Sequence, residues 1–143
     1  MKNIGYIRNS RLSQENSVET QTKLITDFCN NNEIHLDEII CDEGISGSGE
    51  KTDKRDGYNF IMKMIEDGEV NTLVVVSISR WGRNLGEIYN SVRLMETKGV
   101  KFLSIKENVD TSSIYGRFTL SLLGSLYEDR KSTRLNSSHT SIS

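Results

Sequence analysis

The chain has 143 residues and a formal net charge of −2; its length predicts one domain large enough for a core, and its 35% hydrophobic content is low for a compact domain, partly because the last stretch has almost no apolar residues. That charge excludes a protein holding nucleic acid by bulk positive charge alone, while leaving room for local arginine clusters. No apolar run approaches the roughly 20 residues that span a bilayer, Met1–Arg8 is too polar for a secretory leader, and Cys29 and Cys41 lack metal-ligand spacing, so a soluble cytoplasmic protein with reduced thiols is expected.

Residues Asn3 to Arg8 alternate, with Ile4 and Tyr6 on one face and Gly5 and Ile7 on the other, which predicts a strand. It runs into Asn9, Ser10 and Arg11. A hydroxyl just past a strand's carboxyl end and before a helix stands where open α/β sheets carry their chemistry, and Arg8 offers an anion ligand two residues away. Asn16 or Ser17 caps a helix to about Asn32, with Val18, Leu24, Ile25, Phe28 and Cys29 on its apolar face. Gln21 falls within that face and needs partners. Local backbone and a site shared with Ser10 are equally open readings.

Glu38 to Cys41 predicts a second strand, followed by the glycine-rich loop Asp42–Gly49 with Ser46 inside it. The loop lacks a P-loop lysine-serine pair. A helix after Arg55 carries Tyr58, Ile61, Met62 and Ile65 on one face and ends at Gly68. Thr72 to Ile78 is the continuous apolar run of a central strand. It leads into Ser79-Arg80-Trp81-Gly82-Arg83-Asn84, where Asn84 caps a third helix with Leu85, Ile88, Val92 and Met95 inward and Gly99 at its end. Val100 to Ile105 is another strand, Asn108 to Ser113 a polar turn, and Ile114, Phe118, Leu122 and Leu126 mark a last helix at four-residue spacing. Strand and helix alternate, which predicts an α/β fold in three layers, a mostly parallel central sheet flanked by helices. The periodicity stops at Arg130, and residues 131–143, rich in serine and threonine, read as an unstructured tail foreign to the domain.

The loops at the carboxyl ends of the strands collect Arg8 and Ser10, Asp42 and Ser46, and Arg80 and Arg83, with Arg55 opening the helix beyond the glycine-rich loop. No histidine lies near Ser10 in sequence, and no zinc or magnesium constellation is visible. One hydroxyl among several guanidiniums suits phosphoryl transfer to serine without metal, the arginines gripping phosphate oxygens and the growing transition-state charge.

Over roughly Met1 to Arg130 the chain resembles the catalytic domain of the serine site-specific recombinases, the resolvase/invertase family. The matching segments are Tyr6-x-Arg8-x-Ser10, Ser17-x-x-x-Gln21, Asp42-Glu43-Gly44-Ile45-Ser46-Gly47, Arg55-Asp56-Gly57, Ser79-Arg80-Trp81-Gly82-Arg83-Asn84, Asp110-Thr111 and Gly116-Arg117-Phe118. The resemblance implies that Ser10 attacks a phosphodiester of double-stranded DNA, joins the 5′ phosphate and releases a 3′ hydroxyl, with no cofactor. It implies that Arg8, Arg80 and Arg83 grip the scissile phosphate, assisted by Gln21 and by Arg55 once the loop closes. Asp42 would handle a proton or orient an arginine, and Tyr6 and Ser46 would support the phosphate site. The final helix, through Phe118, Leu122 and Leu126, would build a homodimer that assembles into a synaptic tetramer.

The pattern departs at Asn9, where the family has a small apolar residue, and at Asp56, where many members have proline. Ser79 replaces an aspartate of the smaller resolvases and leans towards the large-recombinase and transposon branch. The family pattern expects a further arginine beyond Asp129-Arg130 on the same helix, which cannot be placed here, and a DNA-binding domain, which does not follow in this sequence. Two other readings stand beside this one: an oligomerising remnant that no longer cuts, and a nucleotide-binding module using the Gly44–Gly49 loop.

Overall fold

The computed structural model describes residues 1–9, 17–43 and 55–136. Strands β1 (Lys2–Asn9), β2 (Glu38–Glu43), β3 (Val70–Val75), β4 (Lys101–Ser104) and β5 (Val109–Asp110) alternate with helices α1 (Val18–Asn31), α2 (Asp56–Glu66), α3 (Leu85–Thr97) and α4 (Ile114–Asn136). The sheet order among the described residues is β2-β1-β3-β4-β5. β1 lies between β2 and β3, parallel to both, and β4 continues the parallel set, while β5 returns antiparallel.

The two-residue period of the central strands divides the core in two. Ile4, Tyr6, Leu73, Val75 and Phe102 face α2, α3 and Leu120 of α4. Ile7, Val74, Val76 and Leu103 face Ile25 and Cys29 of α1. Each large apolar side chain so buried stabilises the fold by about 1.5–3 kcal/mol relative to exposure, and burial on both faces is why Leu73–Val76 reads as a continuous apolar run. Ser17 caps α1 by accepting from Thr20 N at 3.1 Å, and Asn84 caps α3 by accepting from Glu87 N at 2.8 Å. Gly68 and Gly99 end α2 and α3 at φ 75°, the left-handed geometry that glycine adopts freely.

Four details differ from expectation. β3 ends at Val75 rather than Ile78, because the chain turns into a single 3-10 turn at Ile78–Arg80. Leu24 is 38% exposed, and Gln21 takes the buried place on α1 instead. β5 arises within the stretch expected as a polar turn, being too short to show a period. Helical order also passes the expected limit at Arg130 and continues to Asn136: residues 131–136 contain no glycine or proline, and their lysine, arginine and leucine favour helix.

Helices α3 and α4 pack through a reciprocal contact. A Cβ on Gly86 would stand 2.7 Å from Cε1 of Tyr127, and one on Gly124 would stand 2.7 Å from Cε1 of Tyr89. Each helix thus offers a bare backbone patch to the other's tyrosine, and the two rings lie 6.0 Å apart. The opposite side of α4 exposes Ile114, Tyr115, Phe118, Leu122 and Leu126. Among the described residues no helix is long and apolar enough to cross a membrane.

Candidate active site

The carboxyl end of β1 carries Arg8, which register pairs with Asp42 on β2. The half-buried Arg8 donates through Nη2 to the carbonyl of Ser79 at 2.6 Å, across from β1 to the 3-10 turn. Its own carbonyl accepts from Gln21 Nε2 at 3.2 Å and from Arg80 Nη1 at 3.4 Å. Three residues distant in sequence therefore meet at the peptide that leads towards Ser10. Ser10 itself, like Ser46 and the loop from residue 44 onwards, lies outside the described residues.

Burial lowers the Arg8 pKa from its ordinary value. The neighbouring charges of Arg55 and Arg80 push the same way, opposed by Tyr6 and Glu87. Guanidinium nevertheless keeps its proton in proteins, so the end of β1 presents concentrated positive charge beside a desolvated floor. Such a place attracts a phosphodiester, whose oxygens accept forked N–H donors.

Asp42 sits below this layer, buried. One carboxylate oxygen accepts from Gly57 N at 2.7 Å, and the other accepts from Tyr58 N at 2.9 Å and from the Tyr6 hydroxyl at 2.7 Å. Arg55, the residue before α2, makes no side-chain cap, so Asp42 caps the helix from the neighbouring strand and satisfies N–H groups at its positive end. Gly57 permits this: a Cβ there would lie 2.7 Å from Ile40 Cγ2 and 2.8 Å from Asp42 Oδ1. Among the described residues these hydrogen bonds of Asp42 serve Tyr6 and α2.

Tyr6, expected to support the phosphate site, is fully buried, because β1 is covered on that face by α2 and α3. Its ring meets Trp81 edge-on at 5.2 Å and Tyr58 at 6.5 Å. Burial, then the hydrogen bond to Asp42, raises its phenol pKa.

Arg55 is buried as well, at 6% exposure. Its guanidinium lies 3.9 Å above the Tyr58 ring, donates to the Trp81 carbonyl at 3.3 Å and pairs with Glu87. The other Glu87 oxygen accepts from Arg83 N at 2.7 Å. The Arg83 side chain is exposed at the start of α3, on the segment that follows the 3-10 turn. Glu87 and Trp81 were not singled out from sequence. A signal for Glu87 existed in Asn84-x-x-Glu87, the spacing of a capping box.

Among the described residues no group of three or more His, Cys, Asp and Glu side chains is placed to hold a metal ion. Phe118, Leu122 and Leu126 are 60%, 49% and 53% exposed and lie on α4, away from the core.

Comparison with known proteins adds to this geometry. The model of a family described as "Resolvase, N terminal domain" matches residues 3–140. The chain is 30% identical over 125 residues to a DNA-invertase of Escherichia phage P1, covering 87% of this chain and 60% of that protein. It is 31% identical over 125 residues to the serine recombinase gin of Escherichia phage Mu, covering 87% and 58%. The chain thus spans less than two thirds of the length of these curated relatives. In fold it is similar to the N-terminal catalytic domain of TP901-1 integrase, with a TM-score of 0.77 at 22% identity over 93% of this chain and 98% of that one. A resolvase family site-specific recombinase from Streptococcus pneumoniae gives 0.75 at 22% identity over 99% and 97%.

Proposed function

Because the chain belongs to the family of resolvase N-terminal domains, we propose that it is the strand-cutting module of a serine recombinase acting on double-stranded DNA in the cytoplasm. The Ser10 hydroxyl attacks the scissile phosphorus, and the bond to the 3′ oxygen breaks. The serine loses its proton and the departing 3′ oxygen gains one. The 5′ phosphate stays joined to the serine, and attack by a 3′ hydroxyl reverses the step with no external energy source or cofactor.

The observation that carries this reading is the convergence of Arg8, Arg80 and Gln21 at the end of β1. Arg8 and Arg80 grip the phosphate oxygens and Arg83 reaches the same group from the start of α3. Donors fixed in advance to meet growing negative charge are the largest single source of catalysis in such sites. Gln21 braces the backbone before the nucleophile, and Ser46 supports the phosphate from its loop. Asp42 and Tyr6 act from beneath by fixing α2. Arg55 joins the phosphate only on leaving Glu87 and Trp81. The exposed stripe Phe118, Leu122 and Leu126 supports a homodimer that assembles into a synaptic tetramer.

The test is covalent trapping. The full chain, fused after Ser143 to a DNA-binding domain of known site, is incubated with a nicked substrate and run on a denaturing gel. A protein adduct on the 5′ end that disappears in Ser10→Ala is expected. An adduct that survives that substitution overturns Ser10 as the nucleophile, and no adduct where a relative in the same fusion reacts overturns the reading in favour of a remnant that associates without cutting.

A further inference from the structure

We propose that Glu107 is a positioning residue for Arg8 and Arg80, an inference that rests on their reading as phosphate ligands. After β4 the chain turns through Asn108, at φ 57°, with its N–H on the Ile105 carbonyl at 3.1 Å. This turn folds Glu107 back across the end of β3. There Glu107 Oε1 accepts from the backbone N–H of Ile78 at 3.2 Å and from the hydroxyl of Ser104. Ser104 is 2% exposed, so one end of the arrangement is fixed in the sheet.

Ile78 opens the 3-10 turn, and its neighbours carry the site. The Ser79 carbonyl receives Arg8 Nη2 at 2.6 Å, and Arg80 closes the turn with its guanidinium on the Arg8 carbonyl. The turn's own bonds are Arg80 N to Ser77 O and Trp81 N to Ile78 O, both at 3.0 Å, a longer one from Gly82 N to Ile78 O at 3.3 Å, and the contact of the Ser77 and Ser79 hydroxyls at 3.1 Å. A 3-10 turn of this length is weakly determined by itself. Glu107 supplies an outside anchor at its first residue and thereby sets the direction of both arginines. The two groups bonded to Glu107 are neutral, so the geometry of the acceptor carries the effect, and glutamine offers the same oxygen.

Two measurements on Glu107→Ala and Glu107→Gln test this. The first is amide hydrogen exchange on the 143-residue chain. Glu107→Ala is expected to speed exchange at Arg80 and Trp81 by about tenfold or more while the core strands keep their protection, and Glu107→Gln is expected to stay close to wild type. The second is the rate of adduct formation at saturating DNA in the fusion described above. Glu107→Ala should slow it by about tenfold to a hundredfold, as misplaced catalytic groups do, with unchanged DNA affinity and with recovery in Glu107→Gln. Unaltered turn exchange in Glu107→Ala, a rate equal to wild type, or a glutamine variant as impaired as alanine would each overturn the assignment. If the wild-type fusion forms no adduct, the cutting reading fails separately, and exchange at the turn still decides whether Glu107 holds it.

Discussion

Arg55 and Glu87 form an ion pair in which the guanidinium is 6% exposed and the carboxylate 25%. The same carboxylate takes the N–H of Arg83, so one side chain ties the start of α2 to the start of α3. Glu87→Gln removes the charge that balances a buried cation over Tyr58 and leaves one amide oxygen where two carboxylate oxygens serve Arg55 and the Arg83 N–H. Glu87→Gln should lower the unfolding free energy by about 2–3 kcal/mol, the low side of breaking a buried pair because the carboxylate retains some water. Urea denaturation measures it. A change within about 0.5 kcal/mol, typical of surface sites, would show that Arg55 finds another partner.

Tyr6→Phe removes one donor from Asp42 while leaving the N–H groups of Gly57 and Tyr58 in place. A hydrogen bond to a charged acceptor contributes about 1.5–3 kcal/mol, and a loss of that size is expected. It should appear as an earlier denaturation midpoint with an unchanged slope.

The same tyrosine sets a dependence on pH. Its phenol is raised above the ordinary 10.0 by burial and by Asp42, so folding favours the neutral form. Stability from this group is complete below pH 10.0 and is lost as pH rises towards the folded value. Tyr58, raised chiefly by burial, acts in the same direction. Alkaline denaturation should therefore be shallower in Tyr6→Phe than in wild type, though not abolished. Parallel curves for the two proteins would contradict the buried hydrogen bond.

Gly57→Ala sets two effects against each other. Alanine gains up to about 1 kcal/mol of helix propensity, but its Cβ would stand 2.7 Å from Ile40 and 2.8 Å from the Asp42 oxygen. Overpacking of this kind costs about 1–3 kcal/mol, and the bond to Asp42 weakens besides. Net destabilisation is expected. A variant more stable than wild type in thermal melts would mean that α2 shifts without strain.

Serine at both Leu122 and Leu126 should leave monomer stability within about 0.5 kcal/mol, since each is about half exposed. Self-association measured by sedimentation should be lost if this stripe builds the dimer. Retained association with the double substitution would point to another surface.

The architecture was largely legible because β1 and β3 bury both faces and three helices carry apolar stripes and readable ends at Ser17, Gly68, Asn84 and Gly99. β5 escaped because two residues have no period. Gln21 is buried on the apolar face of α1 where the period places it, while Leu24, read onto the same face, is 38% exposed, because the period alone does not fix how far the covered stripe extends. At the site, Arg8, Gln21 and Arg80 were identified as chemical types, and the structure brings their bonds to one peptide. The burial of Asp42 and Tyr6 was not legible, because sequence reveals that two groups are near a strand end without revealing which is covered. Glu107 left no mark at all: its contacts depend on the turn through Asn108, which only the folded sheet defines.

Arg8, Arg80, Gln21 and Arg55 all donate to main-chain oxygens, those of Ser79, Arg8 and Trp81. A carbonyl survives every substitution of the residue that bears it. The side chain at position 79 can accordingly change while the acceptor it carries stays where the backbone puts it, which makes serine there compatible with the same grip on Arg8, whereas Trp81 is held by its place in the core. Compensating pairs of replacements are not expected between Arg8 and position 79, in contrast to Arg55 and Glu87, which meet through side chains. The inheritance of the site would then be uneven: donors held fixed, acceptors free in identity, and the record of their partnership kept in the path of the chain.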